Sequence, residues 1–288
     1  MVFSTGTRWS QANQEMRTLK SPLRWVGGQS RAAATIVARM PHHQVYVEPC
    51  CGAASVFWAK PKDSSSGEIL NDADKDLINF YTVLHKRGRR LAAEVDALPY
   101  SRAAFCRLLK SRPRTTFQRA LRFWYINRVG FGGKRRHRSF GVQATRPARV
   151  LPRCVLNCLD ATIERLRGVV FECLDVKRAI RLYDRKNTFF YVAPPYPGSF
   201  QGYAKTFSNE DHVSLAETLR RARGTWLVHY NNSSIVKQLY QGFYRKSLRS
   251  WYTIGCNTKS KATSAGHELL ISNRILRAKK NTKPNRKR

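Results

Sequence analysis

Thr188-Phe-Phe-Tyr-Val-Ala-Pro-Pro-Tyr-Pro-Gly198 is the stretch from which the fold is read. Its first half is apolar and aromatic without polar alternation, which reads as a buried strand, and that strand ends abruptly at Pro194 and Pro195. Proline has no N–H to donate, so the backbone there cannot continue a ladder while its carbonyls stay available to a ligand, with Tyr196 beside them. Carbonyl acceptors next to an aromatic face suit a planar, amine-bearing ring such as a nucleobase. A strand that simply closes in a Pro-Pro turn is the plainer alternative.

Working outward, further short strand patterns alternate with helical ones. Gln44 to Glu48, Glu68 to Asn71, Val169 to Asp175, Thr225 to His229 and Glu268 to Asn273 read as strands. Arg31 to Arg39 reads as a helix, and Ser208-Asn-Glu-Asp211 is a capping box opening another over Val213 to Arg223, closed by Gly224. Strands alternating with helices predict an α/β fold around a mainly parallel sheet.

Pro49-Cys-Cys-Gly-Ala-Ala-Ser55 follows the first strand and leads into Val56-Phe-Trp-Ala59. A strand, a small-residue turn and a helix place a cofactor at the carboxyl end of such a sheet. The turn is not the G-x-G-x-x-G dinucleotide fingerprint, which argues against NAD. Asp72 lies 24 residues after Glu48, where an acid in these folds accepts from both hydroxyls of a ribose; capping a helix that begins near Lys75 is an equal alternative. Upstream, Leu23-Arg-Trp-Val-Gly-Gly-Gln-Ser30 sets Trp25 beside Gly27 and Gly28, a turn that lets a ligand approach backbone N–H groups.

Composition narrows the partner. The 288 residues carry 53 Lys+Arg against 18 Asp+Glu, a formal charge of +35, far more than solubility requires, so a polyanion is expected. With 42% hydrophobic residues the chain can bury a core. No apolar run reaches the 18 or so residues of a membrane span, the first residues lack a signal-peptide core, and seven irregularly spaced cysteines read as free thiols. A cytoplasmic protein without bound metal is therefore expected.

The charge is concentrated. Ala97 to Leu159 holds 15 Lys or Arg and no acid, whereas a merely solvated face intersperses both signs. Within it Phe117, Ala120, Leu121 and Trp124 fall at helical spacing and predict one packed face. The glycine-rich Asn127-Arg-Val-Gly-Phe-Gly-Gly-Lys-Arg-Arg-His-Arg138 follows, suited to gripping phosphates and wedging an aromatic into a base stack. Arg277 to Arg288 adds seven basic residues as a disordered tail.

These ordered motifs, from about Leu23 to Asn273, resemble the Dam-type (D12 class) DNA adenine N6-methyltransferases. That family's Lys-Trp-x-Gly-Gly-Lys appears as Arg24-Trp-Val-Gly-Gly-Gln29, and its Glu-Pro-Phe-x-Gly-(Ala/Gly)-Gly-Ser loop as Glu48 to Ser55. Its Asn-Arg-x-Gly-(Phe/Tyr)-Asn-Gly loop appears as Asn127 to Gly133, and its Asp-Pro-Pro-Tyr as Ala193-Pro-Pro-Tyr196. The resemblance implies a Rossmann-like sheet binding S-adenosylmethionine, a mainly helical target-recognition insertion, and methyl transfer to an adenine flipped out of double-stranded DNA. It divides the chain into a leader (1–20), a split catalytic domain (21–75 and 160–275), a recognition domain (76–159) and a tail (276–288). A monomer is the default expectation, in a bacterial or phage setting such as restriction-modification.

Carried over by position, the cofactor is bordered by Trp25, Gly27, Gly28, Gln29, Glu48, Pro49, Gly52, Ala53, Ser55, Asp72, Asp175 and Ala193. Phe171 to Asp175 flanks its adenine. Asn127, Arg128, Phe131, Gly132, Lys134, Arg135, Arg136, His137 and Arg138 are the DNA-contacting set, Phe131 filling the gap left by the flipped base and Arg136 reading guanine. The catalytic residues are those at Ala193, Pro194, Pro195 and Tyr196. In the family the Asp carboxylate and the first Pro carbonyl each accept an N6–H and draw the nitrogen toward tetrahedral geometry, while the Tyr stacks on the base.

Three departures from that pattern bear on function. Ala193 removes the carboxylate, which reads as an Asp-to-Ala change in an active parent and an inactive chain, with a natural pseudoenzyme as the rival. Gln29 replaces a Lys. Gly132 replaces an Asn and removes a base-reading side chain, which with the excess of phosphate-binding residues predicts relaxed sequence specificity. RNA as the methylated substrate and DNA binding without catalysis are the competing functions.

Overall fold

The run of aromatic and β-branched residues at Thr188–Val192 does form a strand, and every one of its five residues is buried. In the computed structural model, which describes residues 19–142, 148–198, 207–251 and 265–278, the chain first lays down α1 (Ala33–Val37), β1 (Val45–Glu48), α2 (Ser55–Ala59) and β2 (Gly67–Asn71). Helices α3 (Lys75–Asp96), α4 (Arg102–Lys110), α5 (Thr116–Val129), α6 (Arg153–Leu156) and α7 (Leu159–Arg165) follow without a strand between them. The rest is β3 (Val169–Glu172), α8 (Val176–Tyr183), β4 (Thr188–Val192), α9 (Asn209–Arg220), β5 (Thr225–Asn231), α10 (Ser234–Leu239), β6 (Tyr244–Trp251) and β7 (Ala265–Ser272). The 1–18 part of the expected leader and the 279–288 part of the expected tail lie outside the described residues. Leu19 and Leu276, at the inner ends of those segments, pack against the core.

The seven strands make one sheet in the order β3-β2-β1-β4-β5-β7-β6. The first five are parallel, with Val45 opposite both Gly67 and Thr188, and Phe190 opposite Trp226. β7 runs antiparallel to β5, and β6 antiparallel to β7. All six strands expected from the sequence are present. β6 is the one that was missed: Tyr-Arg-Lys-Ser-Leu-Arg-Ser-Trp is too polar to read as a strand. As an edge strand it needs little apolar content, and its Lys and Arg residues discourage pairing with a further chain.

Chain order reverses between β1 and β4, the sheet's switch point. The two-residue period of β4 sends Phe189 and Tyr191 into one apolar core and Phe190 and Val192 into the other. The first core also takes the helical segment, where Phe80 of α3 meets Phe123 and Trp124 of α5 at centroid distances of 5.4 and 5.3 Å. The buried surface of α5 is wider than the expected stripe: Phe117, Ala120 and Trp124 are buried, and so is every residue from Phe123 to Val129. The capping box forms, with Ser208 Oγ accepting from the Asp211 N–H and Asp211 Oδ2 from the Ser208 N–H, so α9 starts at Asn209, four residues before the sequence reading. Among the described residues no helix is long and apolar enough to cross a membrane, and no cluster of His, Cys, Asp and Glu could hold a metal ion.

Candidate active site

The loops leaving β1 and β4 diverge at the switch point and leave two joined openings at the carboxyl ends of the parallel strands. The larger, about 280 Å³, is lined by Trp25, Pro49, Cys50, Gly52, Asp72, Asp175, Ala193 and Pro195. The smaller, about 40 Å³, is lined by residues including Gly27, Gly28, Gln29, Glu48, Ala53, Ser55, Tyr191, Pro194 and Tyr196. Trp25, Cys50, Gly52 and Ala193 border both.

Local backbone chemistry explains the shape. Gly52 has φ +48°, and a Cβ there would sit 2.6 Å from Trp25 Nε1, so only glycine lets the indole lie against the loop. Ala54, where the family pattern has Gly, is also left-handed at φ +52°. For an L-residue that costs about 1–2 kcal/mol, a departure the sequence reading did not single out.

Asp72 is half-buried just beyond β2, its Oδ2 accepting from the Gly52 N–H at 3.0 Å and its Oδ1 from the Asp74 N–H at 2.9 Å. Burial raises its carboxyl to about 6, against the lowering pull of those two N–H groups. The alternative role of helix cap is excluded, because Asp74 caps α3 by accepting from the Asp76 and Leu77 N–H groups. Asp175 caps α8 through the Lys177 and Arg178 N–H groups. Glu48 borders the smaller opening, but its Oε1 is taken by the Tyr46 hydroxyl and the Phe57 N–H, each at 2.7 Å, so it pins α2 to the end of β1. Burial pushes its carboxyl up to about 8. Pro49 contributes a carbonyl already bonded by Asn71 Nδ2 at 2.7 Å.

Asn71 is a residue the sequence reading missed. Besides Pro49, its side chain meets both the N–H and the carbonyl of Leu174, tying together the loops after β1, β2 and β3. A buried, fully bonded Asn at a strand end has no signature in one sequence beyond its position next to Asp72.

The Ala193-Pro-Pro-Tyr196 tetrapeptide stands where the two openings share their lining. Ala193 offers only a methyl group there. Tyr196 is held from the side by Gln29, whose Nε2 donates to the phenol oxygen at 2.7 Å. The residue that replaces a Lys thus links the Trp25-Val-Gly-Gly28 turn to Tyr196.

The glycine-rich loop requires corrections. Asn127 is 4% exposed and faces inward. Its Oδ1 accepts from the Arg24 N–H at 2.9 Å and its Nδ2 donates to the Arg24 carbonyl at 2.6 Å, a two-point clamp on the segment that carries Trp25. Arg128 is also buried. Arg135 pairs with the Asp74 carboxylate through Nε and Nη2, with its guanidinium 4.6 Å from the Phe123 ring. Asn127 and Arg135 therefore spend their polar groups on partners inside the fold, and Arg128 is buried with its Nε unpaired, so none of the three presents a free polar group at the surface. Phe131, 57% exposed, and the exposed Arg136 and His137 face solvent, with Lys134 Nζ 5.6 Å from the Phe131 ring centre. Arg138 is half-buried, its Nε donating to the Arg135 carbonyl at 2.8 Å. Gly132 has φ +68°, a conformation Gly adopts freely and Asn tolerates, so replacing the family's Asn leaves the turn intact.

The cavity wall fits S-adenosylmethionine. A glycine cradle and an indole offer room and an apolar face, and the half-buried Asp72 retains lone pairs beyond the two it spends on N–H groups. Comparison with known proteins agrees. The chain is 25% identical over 259 residues to a DNA adenine methylase of Vibrio cholerae, covering 84% of this chain and 92% of that one. It is 24% identical over 270 residues to the Retron Ec67 DNA adenine methylase of Escherichia coli, covering 87% and 90%. With the Type II methyltransferase M.MjaIII of Methanocaldococcus jannaschii it shares 25% identity over 291 residues, covering 88% and 99%. The family model for D12 class N6 adenine-specific DNA methyltransferases matches residues 25–254, and the chain belongs to that family, whose members use S-adenosylmethionine.

Proposed function

We propose that this chain is built to methylate N6 of an adenine extruded from duplex DNA with relaxed sequence specificity, and that Ala193 leaves the chain as it stands nearly inactive. The observation that carries this reading is that Ala193 borders both openings, so the catalytic motif and the cofactor loop share one cavity. Bound S-adenosylmethionine supplies a methyl group on a sulfonium, open to attack by an amine. Asp72 accepts from the ribose, and Trp25 and Gly52 shape the methionine side. The Pro194 carbonyl accepts one N6–H and Tyr196 presents its ring to the base. Position 193 lacks the second acceptor, and nothing else in the motif is missing.

The family's activity on DNA supports a duplex lying in front of this cavity. Residues 76–159 form the recognition unit, and residues 21–75 with 160–275 the catalytic one. Phe131, Lys134, Arg136 and His137 are the loop residues that meet DNA. Arg136→Ala lowers the slope of log affinity against log salt by about one, while Arg135→Ala acts mainly through loss of the Asp74 pair and lowers the melting temperature. Fluorescence titrations at several salt concentrations, with melts of both variants, check this; equal effects of the two on the salt slope contradict it.

Asp72 makes cofactor binding depend on pH. A carboxylate raised to about 6 is ionised at pH 8 and protonated at pH 5, and protonation removes an acceptor from the ribose hydroxyls. Affinity for S-adenosylmethionine falls by up to about tenfold per pH unit below 6. Calorimetric titration between pH 5 and 8 tests it; a flat profile contradicts the role of Asp72.

Binding to DNA without catalysis is the reading Ala193 itself favours. Single-molecule mapping of N6-methyladenine on DNA treated with the Ala193→Asp protein tests the proposal. Marks in many sequence contexts are expected. Marks confined to one short palindrome overturn relaxed specificity, no marks overturn the enzymatic reading, and stronger transfer to matched RNA than to duplex DNA overturns the substrate.

A further inference from the structure

Beneath the catalytic tyrosine lies a buried polar chain that the methyl-transfer chemistry does not call on. Tyr196 Oη donates to Glu268 Oε1 at 3.3 Å. The other carboxylate oxygen, Oε2, is 3.0 Å from His229 Nε2, and His229 Nδ1 is 3.1 Å from the Tyr191 hydroxyl. His229 is fully buried, Glu268 is 5% exposed and Tyr191 3%. With Gln29 donating to Tyr196 from the opposite side, these side chains come from the segment before α1, from β4 and the loop after it, from β5 and from β7.

The roles along the chain are mutually consistent. An ionised Glu268 can only accept, so His229 donates from Nε2 and accepts at Nδ1 from the Tyr191 hydroxyl, and Tyr196 donates to the remaining oxygen. Burying a carboxylate costs free energy that an apolar side chain avoids, and a sheet needs no Glu–His pair at this point to hold β5 to β7. The chain ends on Tyr196 and Gln29, which both border the smaller opening, and Tyr191, two residues before Ala193 on β4, borders it too.

We propose that Glu268 and His229 are positioning residues that fix the ring of Tyr196 in the orientation an adenine stacks upon. Glu268 restrains the phenol from the sheet side and Gln29 from the loop side, so the ring plane is set before the base arrives. A charge-assisted hydrogen bond of this kind corresponds to about 10-fold to 100-fold. This inference rests on the proposed methyltransferase reading, and its test separates the two.

Two measurements suffice. In the Ala193→Asp protein, Glu268→Leu lowers kcat for methyl transfer to duplex DNA about 10-fold or more while the Kd for S-adenosylmethionine changes less than about threefold. Added to Tyr196→Phe, which already lacks the hydroxyl, the same change costs less than about threefold. Glu268→Gln retains most of the activity, because its carbonyl can accept from Tyr196 while His229 switches tautomer to accept the amide. Equal costs in the Tyr and Phe backgrounds, or a Gln variant as poor as Leu, overturn the proposal. The second measurement needs no turnover: fluorine NMR of the chain as it stands, labelled with 3-fluorotyrosine and assigned through Tyr196→Phe. Tyr196 gives a signal of one fixed ring environment that becomes averaged or split in Glu268→Leu, and in His229→Gln should the Leu variant fail to fold. An unchanged signal overturns the positioning role even where methyl transfer is absent, whereas an altered signal with no activity in the Ala193→Asp protein counts against the enzymatic reading alone.

Discussion

Replacing Ala193 by Asp raises the rate of methyl transfer to adenine in duplex DNA by about 100-fold to 10,000-fold. The amino group of adenine is a weak nucleophile because its lone pair is shared with the ring. In the proposed reading two acceptors on its hydrogens pull the nitrogen toward tetrahedral geometry, and one of them is the carbonyl of Pro194, which lines the smaller opening. The second is proposed for position 193, which borders both the larger opening and the smaller one lined by Tyr196. A carboxylate there enters a half-buried position at a solvent-connected cavity, so the fold accepts it without an unpaired buried charge. Transfer of a radiolabelled methyl group by the two proteins side by side provides the check. Rates within threefold of each other contradict the assignment of the missing acceptor.

Replacing Glu68 by Leu lowers the stability of the fold by about 3–5 kcal/mol, the effect expected when one partner of a buried ion cluster is removed. Glu68 Oε1 accepts from Lys60 Nζ and Arg165 Nη2, both at 2.7 Å, and Oε2 accepts from Arg165 Nη1. The guanidinium lies 3.7 Å from the Phe57 ring centre, and the Lys60 side chain is fully buried. Losing the carboxylate leaves two cations without a counter-charge. The cluster joins β2 and α7 to the end of α2, the helix that the cofactor loop feeds, so the loss also loosens the cavity wall. Urea unfolding measures the effect, and a second change, Lys60→Met, recovers part of it. A loss under about 1 kcal/mol contradicts the account of this cluster.

Much of the fold was legible because its strongest signals are local. An apolar run such as Thr188–Val192 is a buried strand in almost any context, and Ser208 with Asp211 is a helix start whatever follows. β6 was not legible, because at a sheet edge the pairing supplied by β7 replaces the apolar content that marks a strand. The glycine loop after β1 and Asp72 were singled out by spacing, and Gly52 and Asp72 line one opening. The roles inside Asn127 to Arg138 were misread for a different reason: sequence gives charge but not direction. Arg135 and Arg136 are neighbours of the same chemistry, yet one is folded against Asp74 and Phe123 and the other faces solvent. Asn127, read as part of a DNA-contacting motif, spends both ends of its amide on Arg24. Glu268 and His229 are far apart in the chain and meet only through the pairing of β5 with β7, in which His229 stands opposite Leu270 and Asn231 opposite Glu268. No single-sequence pattern carries such a contact.

In the proposed reading the cavity at the switch point binds the cofactor, and the chemistry is stopped at Ala193 on its border. Calorimetric titration of the folded chain, with Ala193 in place, by S-adenosylmethionine at pH 8 tests it most directly. One site per chain is expected, its affinity unchanged within about threefold in Ala193→Asp and lowered at least tenfold in Asp72→Ala. No binding by the folded chain, or an affinity indifferent to Asp72, contradicts it.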